Sequence, residues 1–250
     1  MRKKLVQLII ALSFVFSFDV CAKSNIEVCA VPQTYSALEN IRKYTKVHFE
    51  TFYGSSEEIL SIISNQNKRC HIIISEDEKI PVIILKSNKT EFSNIKRLVR
   101  APLVLWSKDE NVIDDKMEFL KKKKLKNLVL PKASLSTVGY AASEIMKQKD
   151  FPIEFLKGRI FRTDHEYSTF SLVDNENVQA GFVTKPVIMK DGKPVGSFYI
   201  FPYDKYEPIY YYVTLNNTEK SNRITTLYTE LTTSVRVITS FILAGFDSLD

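Results

Sequence analysis

FETFYGSSEEILSII, residues 49–63, joins an extended segment to a segment whose apolar residues recur at helical spacing. Ser55 followed by Glu58 fits a capping box, so the sequence predicts that a helix begins at 55–56. Such a helix start presents unpaired N–H groups and the positive end of the helix dipole, which together favour an anion. A well-capped strand–loop–helix junction with no ligand is the alternative interpretation of the same residues.

The segments on either side alternate between strand and helix patterns. The β-branched run 71–75 (HIIIS) is typical of a parallel strand buried on both faces. The first set of elements comprises strands 26–31, 46–52 and 71–75 and helices 36–44 and 56–65. The second comprises strands 98–106, 128–130, 160–161 and 180–183 and helices 112–126, 138–149 and 168–175, and strands 197–202 and 209–215 and helix 224–244 follow. Two successive β-α-β-α-β sets predict an α/β protein with doubly wound sheets.

The N-terminus has the pattern of a secretory signal peptide. Arg2-Lys3-Lys4 precedes an apolar run that is short for a membrane span, and Val20-Cys21-Ala22 supplies small residues for cleavage before Lys23. No later segment is long and apolar enough to cross a bilayer. We therefore predict a signal peptide over 1–22 and a periplasmic location, while lipidation of Cys21 and an uncleaved anchor stay open as alternatives.

Composition and cysteine usage narrow the class of protein. The chain has 250 residues, of which 44% are hydrophobic and 26% are charged, as in a globular protein. The net charge of +6 is spread over scattered lysines, which indicates a solvated surface and no nucleic-acid partner. Cleavage would leave Cys29 and Cys70, and export favours their pairing. Both lie in or beside predicted strands, where the geometry could allow or forbid a bridge, so the pairing stays open.

Three predicted strand-to-helix turns carry small hydroxyl residues, at 34–36, 55–56 and 134–137. Each follows the carboxyl end of a strand, where open α/β sheets bind their ligands. If the two halves of the chain face each other, these helix starts converge on one point. Neutral N–H and O–H donors suit a fully ionised oxyanion, which accepts hydrogen bonds and donates none.

Patterns that would indicate catalysis are missing from the sequence. His48, His71 and His165 are far apart, and no HExxH, CxxC, GxSxG or Walker motif occurs. Asp164 and Glu166 flank His165, but no nucleophile can be assigned to them. We therefore expect a binding protein that has no catalytic residue, cofactor or metal, with a secreted hydrolase that uses 164–166 as a rival hypothesis.

Six stretches together resemble a known family. They are AVPQTYSAL (30–38), FYGSSEEI (52–59), CHIIISED (70–77), RLVRAPLVLW (97–106), LSTVGYAAS (135–143) and LVDNENVQAGFVT (172–184). They resemble motifs of the periplasmic molybdate-binding proteins of ABC importers, in the type II solute-binding class. The resemblance implies two α/β lobes joined by a two-segment hinge, with the ligand between them. We expect lobe one at 23–97 and 204–250 and lobe two at 98–203.

The resemblance also implies a ligand site that departs from the family pattern. The implied oxyanion contacts are Gln33, Ser56, Thr137, Glu166 and Thr184, with Ser55 and Thr34 beside them. Only Ser56 keeps the family's residue type, since Gln33 replaces a serine and Thr184 replaces a tyrosine. Thr137 replaces an alanine that contributes its backbone N–H. Glu166 replaces an apolar residue, and a carboxylate there would repel a dianion by about 1 to 4 kcal/mol per close pair.

The prediction that follows is an exported, monomeric solute-binding protein. It would capture molybdate or tungstate by closure of the hinge and deliver the anion to an ABC permease in the inner membrane. The departures at Gln33, Glu166 and Thr184 motivate a second hypothesis, in which the same fold binds another anion, a small organic acid or no ligand.

Overall fold

The computed structural model describes residues 25–65, 70–76, 82–83, 86, 92–121, 124–216 and 221–249. The predicted signal peptide and the predicted lipidation site at Cys21 lie outside the described residues. Within the described ranges, no helix is both long enough and apolar enough to cross a membrane.

The first sheet has five strands. They are β1 (Ile26–Ala30), β2 (Phe49–Tyr53), β3 (Ile72–Ser75), β4 (Phe92–Ala101) and β12 (Ile209–Asn216). The order across the sheet is β2-β1-β3-β12-β4, with β1 parallel to β2 and β3, and β12 antiparallel to β3 and β4. Ile72, Ile73 and Ile74 are fully buried, as expected for a strand covered on both faces.

The second sheet also has five strands. They are β5 (Leu103–Ser107), β6 (Leu128–Pro131), β7 (Ile160–Thr163), β8 (Ala180–Thr184) and β11 (Ser197–Ile200). The order is β11-β5-β8-β6-β7, with β6 parallel to β7 and β8, and β5 antiparallel to β8 and β11. The short strands β9 (Met189–Lys190) and β10 (Lys193–Pro194) pair with each other.

Seven α-helices are found in the described part of the chain. They are α1 (Tyr35–Arg42), α2 (Ser56–Ser64), α3 (Glu118–Lys121), α4 (Thr137–Met146), α5 (Glu166–Asp174), α6 (Asn222–Thr233) and α7 (Val235–Leu243). The units β1-α1-β2-α2-β3 and β6-α4-β7-α5-β8 confirm the predicted α/β class. We call the first sheet with α1, α2, α6 and α7 the first half, and the second sheet with α3, α4 and α5 the second half.

The predicted single strand over 98–106 is wrong, because the chain changes sheet within it. Pro102 has no N–H group to donate to a sheet, and it separates β4 in the first sheet from β5 in the second. The chain returns to the first sheet between β11 and β12. Two connections therefore join the halves. The backbone amide of Leu103, in the first connection, donates to the hydroxyl of Tyr206, in the second connection, at 2.9 Å.

Two predicted helices also need correction. Among the described residues of the helix predicted at 112–126, only α3 is helical. The Asp114 carboxylate accepts hydrogen bonds from the amides of Lys116 and Glu118 and holds the preceding segment in a turn. The helix predicted at 224–244 is divided into α6 and α7 at Ser234, whose backbone is extended (ψ 121°). Side-chain hydroxyls just before this break donate hydrogen bonds to backbone carbonyls one turn earlier. Thr233 Oγ1, for example, donates to the Thr229 carbonyl at 2.7 Å.

The pairing of Cys29 and Cys70, which the sequence left open, is present as a disulfide with a Cα–Cα distance of 5.5 Å. Cys29 lies in β1, and Cys70 lies two residues before the neighbouring strand β3. Both residues are buried in the core of the first half. The bridge therefore joins two central strands of the sheet whose carboxyl ends face the site described next.

Candidate functional site

A cavity of about 380 Å³ lies between the two halves, at the carboxyl ends of their parallel strands. Its polar lining residues come from both halves: Gln33, Ser55, Ser56, Glu57, Glu58 and Glu76 from the first, and Ser134, Ser136, His165, Glu166 and Ser168 from the second. The turns that begin α2 and precede α4 thus meet at one cavity. This is the edge at which open α/β sheets bind their ligands.

The capping box predicted at the start of α2 is confirmed. The Glu58 amide donates to Ser55 Oγ at 3.2 Å, and the Ser55 amide donates to Glu58 Oε2 at 2.7 Å. The amide of Ser55 and its hydroxyl oxygen are therefore both used to cap the helix. Ser56 is different, because its Oγ is buried and has no hydrogen-bond partner among the described residues.

Thr34 and Thr184 are fully buried and do not line the cavity. Thr34 Oγ1 donates to the Val31 carbonyl at 2.8 Å, which makes its role a structural one in the turn before α1. Thr184 lies at the end of β8, and its hydroxyl donates to Glu166 Oε1 at 2.7 Å. Thr137 begins α4 and lines a neighbouring compartment rather than this cavity.

The Glu166 side chain occupies the centre of this arrangement. It is the first residue of α5 and only 3% exposed. Gln33 Nε2 donates to its Oε2 at 2.6 Å, while the hydroxyl and the backbone amide of Thr184 both donate to its Oε1. The protein's own carboxylate thus accepts the hydrogen bonds that Gln33 and Thr184 were predicted to give to a bound oxyanion.

Two carboxylates face each other across Gln33. Its amide nitrogen also donates to Glu76 Oε2 at 3.1 Å. Burial raises the pKa of Glu166, and the hydrogen bonds from Gln33 and Thr184 oppose that rise. Burial likewise raises the pKa of Tyr211 well above its usual value, and the charges of Glu76 and Glu166 add to this effect. Burial therefore disfavours the charge on Glu166, while the hydrogen bonds from Gln33 and Thr184 stabilise it.

Neutral donors that could hold a solute remain on both walls. The buried hydroxyls Ser56 Oγ, Ser136 Oγ and Thr137 Oγ1 have no partner among the described residues, and neither has the buried oxygen Gln33 Oε1. Buried polar atoms are normally paired, so unpaired hydroxyls at a cavity indicate a place for a ligand or ordered water. Ser136, the N-cap residue of α4, was not singled out in the sequence, although it lies in a turn whose hydroxyl residues were noted.

The rival hydrolase hypothesis finds no support in the loop at 164–166. Asp164 is exposed and pairs with Lys132 at 2.7 Å, which lowers its pKa. His165 Nδ1 lies 3.9 Å from Glu57 Oε2 across the rim of the cavity. His71 is distant in sequence from this loop, and its Nδ1 accepts a hydrogen bond from the Glu27 amide at 2.9 Å.

Two α/β halves joined by two connections, with a cavity between their facing strand ends, define a two-lobed solute-binding protein of the type II class. The chain belongs to the family of bacterial extracellular solute-binding proteins, whose model matches residues 35–239. A search among curated proteins finds no match. This family assignment and the solved structures of similar fold confirm the fold class that the resemblance implied.

Several solved structures share the fold. The periplasmic molybdate-binding protein of Azotobacter vinelandii has a TM-score of 0.76 and 18% identity, over 90% of this chain and 100% of that one. The substrate-binding domain of a molybdenum ABC transporter from Clostridium difficile has a TM-score of 0.69 and 19% identity, over 90% and 99%. PEB3 with bound L-phospholactate has a TM-score of 0.70 and 15% identity, over 90% and 100%, and PEB3 comes from Campylobacter jejuni.

Proposed function

We propose that this protein captures a small anionic solute in the cavity between its halves and delivers it to an ABC permease of the inner membrane. The observation that carries the proposal is the position of the Glu166 carboxylate, held by Gln33 and Thr184 inside the cavity wall. A carboxylate is itself an oxyanion, and these donors are suited to oxygen atoms that carry negative charge. The site residues are Gln33, Ser56, Ser136, Thr137, Thr184 and Glu166.

Molybdate or tungstate is the first choice of solute, in line with the molybdate-binding protein of Azotobacter vinelandii, which shares this fold. The same proposal includes a signal peptide for export, a periplasmic location and a monomeric state. It places the limits of the two lobes near residues 102 and 201–208. We infer that the anion competes with Glu166, which either becomes protonated or swings out when the anion binds. Calorimetric titration with molybdate, tungstate and sulfate tests this, and no heat from any of them, with wild type or with Glu166→Gln, would contradict it.

A small organic acid is the second candidate, favoured by the size of the cavity and by PEB3, which was solved with L-phospholactate. A volume of about 380 Å³ falls in the range typical of sites for small organic molecules. Titration with phosphorylated or simple carboxylic acids separates this candidate from molybdate. The candidate fails if only inorganic anions bind.

Replacement of Ser56 by alanine is expected to weaken molybdate binding by about 1–2 kcal/mol, the order of one hydrogen bond to a charged group. Ser56 Oγ is buried at the cavity and has no partner among the described residues, so its loss removes a donor without disturbing the cap at Ser55. Calorimetric titration of wild type and Ser56→Ala with molybdate measures the difference in binding free energy. Ser64→Ala, at the exposed far end of the same helix, is the matched control, and equal affinities of the two variants would exclude Ser56 from the site.

The affinity for the anion is expected to fall as the pH rises through the pKa of Glu166, which lies above the ordinary glutamate value because of burial. Below that pKa the side chain is neutral, and above it the charge repels the anion. The other described ionisable groups that line the cavity or face this carboxyl are Glu57, Glu58, Glu76, His165, Tyr167 and Tyr211. The pKa values of both tyrosines are raised, so they stay neutral.

Titration with sulfate between pH 5 and 8 checks this dependence, since sulfate keeps its charge throughout. Glu166→Gln should remove most of the slope. A level profile for the wild type, or an affinity that rises with pH, would show that Glu166 does not compete with the anion.

A further inference from the structure

A second compartment of about 470 Å³ adjoins the cavity. The two share Glu76 and Ser136 in their walls, so they adjoin at these residues. Ser136 is 6% exposed and its Oγ has no partner among the described residues. A buried, unpaired hydroxyl at the junction of two compartments can bind a solute that extends into both.

The walls of the second compartment are largely aromatic and apolar. Tyr210 and Tyr212 come from β12 of the first half, and Tyr140 comes from α4 of the second half and is 47% exposed. Pro208 and Ile209, at the second connection between the halves, complete this face. Tyrosine side chains from both halves therefore line this compartment.

Arg97 packs against the two tyrosines of β12. Its guanidinium lies 4.3 Å from the centre of the Tyr210 ring, and its Nε donates to the Tyr212 hydroxyl at 3.1 Å. A stacked guanidinium presents a planar surface like that of a ring. Among the described residues that line the compartment, the two carboxylates of Glu76 and Glu207 outnumber the one cation, Arg97, so a second acidic group on the solute is disfavoured.

We propose that the second candidate, an organic acid, carries one acidic group and a flat, aromatic remainder; this rests on the proposed anion-binding function of the first cavity. The acidic group lies at Ser56 and Ser136, and the remainder lies between Tyr140 and the Arg97–Tyr210 wall. A tetrahedral inorganic anion would fill only part of the first cavity and none of the second. The two compartments therefore distinguish this solute from molybdate.

The test compares inorganic phosphate with phenyl phosphate by calorimetry, on the full chain and on Glu166→Gln. We expect phenyl phosphate to bind about tenfold more tightly or better, because its ring is removed from water. Tyr140→Ala should remove most of that gain and leave the affinity for phosphate unchanged. Phe161→Ala is the control, since Phe161 is equally exposed on the same half but lines neither compartment.

The outcomes separate this inference from the function on which it rests. Equal affinities for the two phosphates, or a gain that survives in Tyr140→Ala, would overturn the aromatic compartment while anion capture stands. A gain matched by glycerol phosphate would also overturn it, because an aliphatic group would then fit as well. No binding of phosphate, phenyl phosphate or molybdate to either protein would overturn both.

Discussion

Replacing Glu166 with glutamine is expected to raise the affinity for molybdate at pH 7 about fivefold to several hundredfold, which corresponds to about 1 to 4 kcal/mol for one close pair of like charges. The carboxylate is 3% exposed and accepts hydrogen bonds from Gln33 and Thr184, so its charge lies within the anion site. Calorimetry on the two proteins measures the gain. A shift of the thermal unfolding midpoint with added molybdate provides a second measurement.

Glutamine should be tolerated at this position because it keeps the volume and the main hydrogen bonds. Its amide oxygen can accept from Thr184. Once the Gln33 amide flips, the new amide nitrogen can donate to Gln33 Oε1, which has no partner among the described residues. Asp164→Asn is the matched control, since it also removes one negative charge but lies exposed beside Lys132. If Glu166→Gln bound the anion no better than wild type did, the carboxylate would instead be a contact for a solute that donates hydrogen bonds.

Removing the disulfide in the double variant Cys29→Ala, Cys70→Ala is expected to lower the free energy of unfolding by about 4 kcal/mol, as the chain-entropy relation gives for a separation of 41 residues. The unfolded chain gains the freedom that the bridge removes. Because both cysteines are buried, alanine is a better replacement than serine, whose hydroxyl would need a partner. Denaturant unfolding monitored by circular dichroism measures the difference.

Reduction of the wild type supplies the internal control for this experiment. A reducing agent should lower the unfolding midpoint of the wild type by a similar amount and leave the double variant unchanged. A double variant as stable as the oxidised wild type would mean that the bridge contributes nothing to the folded protein.

Much of the fold was predictable because its signals are local. The capping box at Ser55 and Glu58 spans four residues, and the β-branched run that forms β3 identifies a strand buried on both faces. The predictions of a helix and of a single strand failed where an individual side chain or a proline overrides the local hydrophobic pattern. Asp114 holds its neighbours in a turn through its own carboxylate, and Pro102 transfers the chain from one sheet to the other inside an unbroken apolar run.

The site was less predictable because its contacts are distant in sequence. Gln33 and Glu166 are 133 residues apart, and only the assembled halves bring the amide to the carboxylate. The resemblance indicated both positions, but it could not tell that Glu166 accepts from its own neighbours instead of facing a ligand. Ser136 is an N-cap residue like Ser55, but Gly139 stands where Glu58 completes the capping box, and Ser136 Oγ has no partner among the described residues.

The crossing at Pro102 has a mechanical consequence. Arg100 exchanges backbone hydrogen bonds with Asp247 of the first half at 3.0 and 2.8 Å, whereas the Pro102 carbonyl accepts from Lys185 of the second half at 2.9 Å. Arg100 and Pro102 are thus hydrogen-bonded to different halves, although they are only two residues apart. The proline ring fixes one of the torsions between them. If the two bodies swing apart to admit a solute, the pivot on this connection is confined to the few remaining torsions around Ala101.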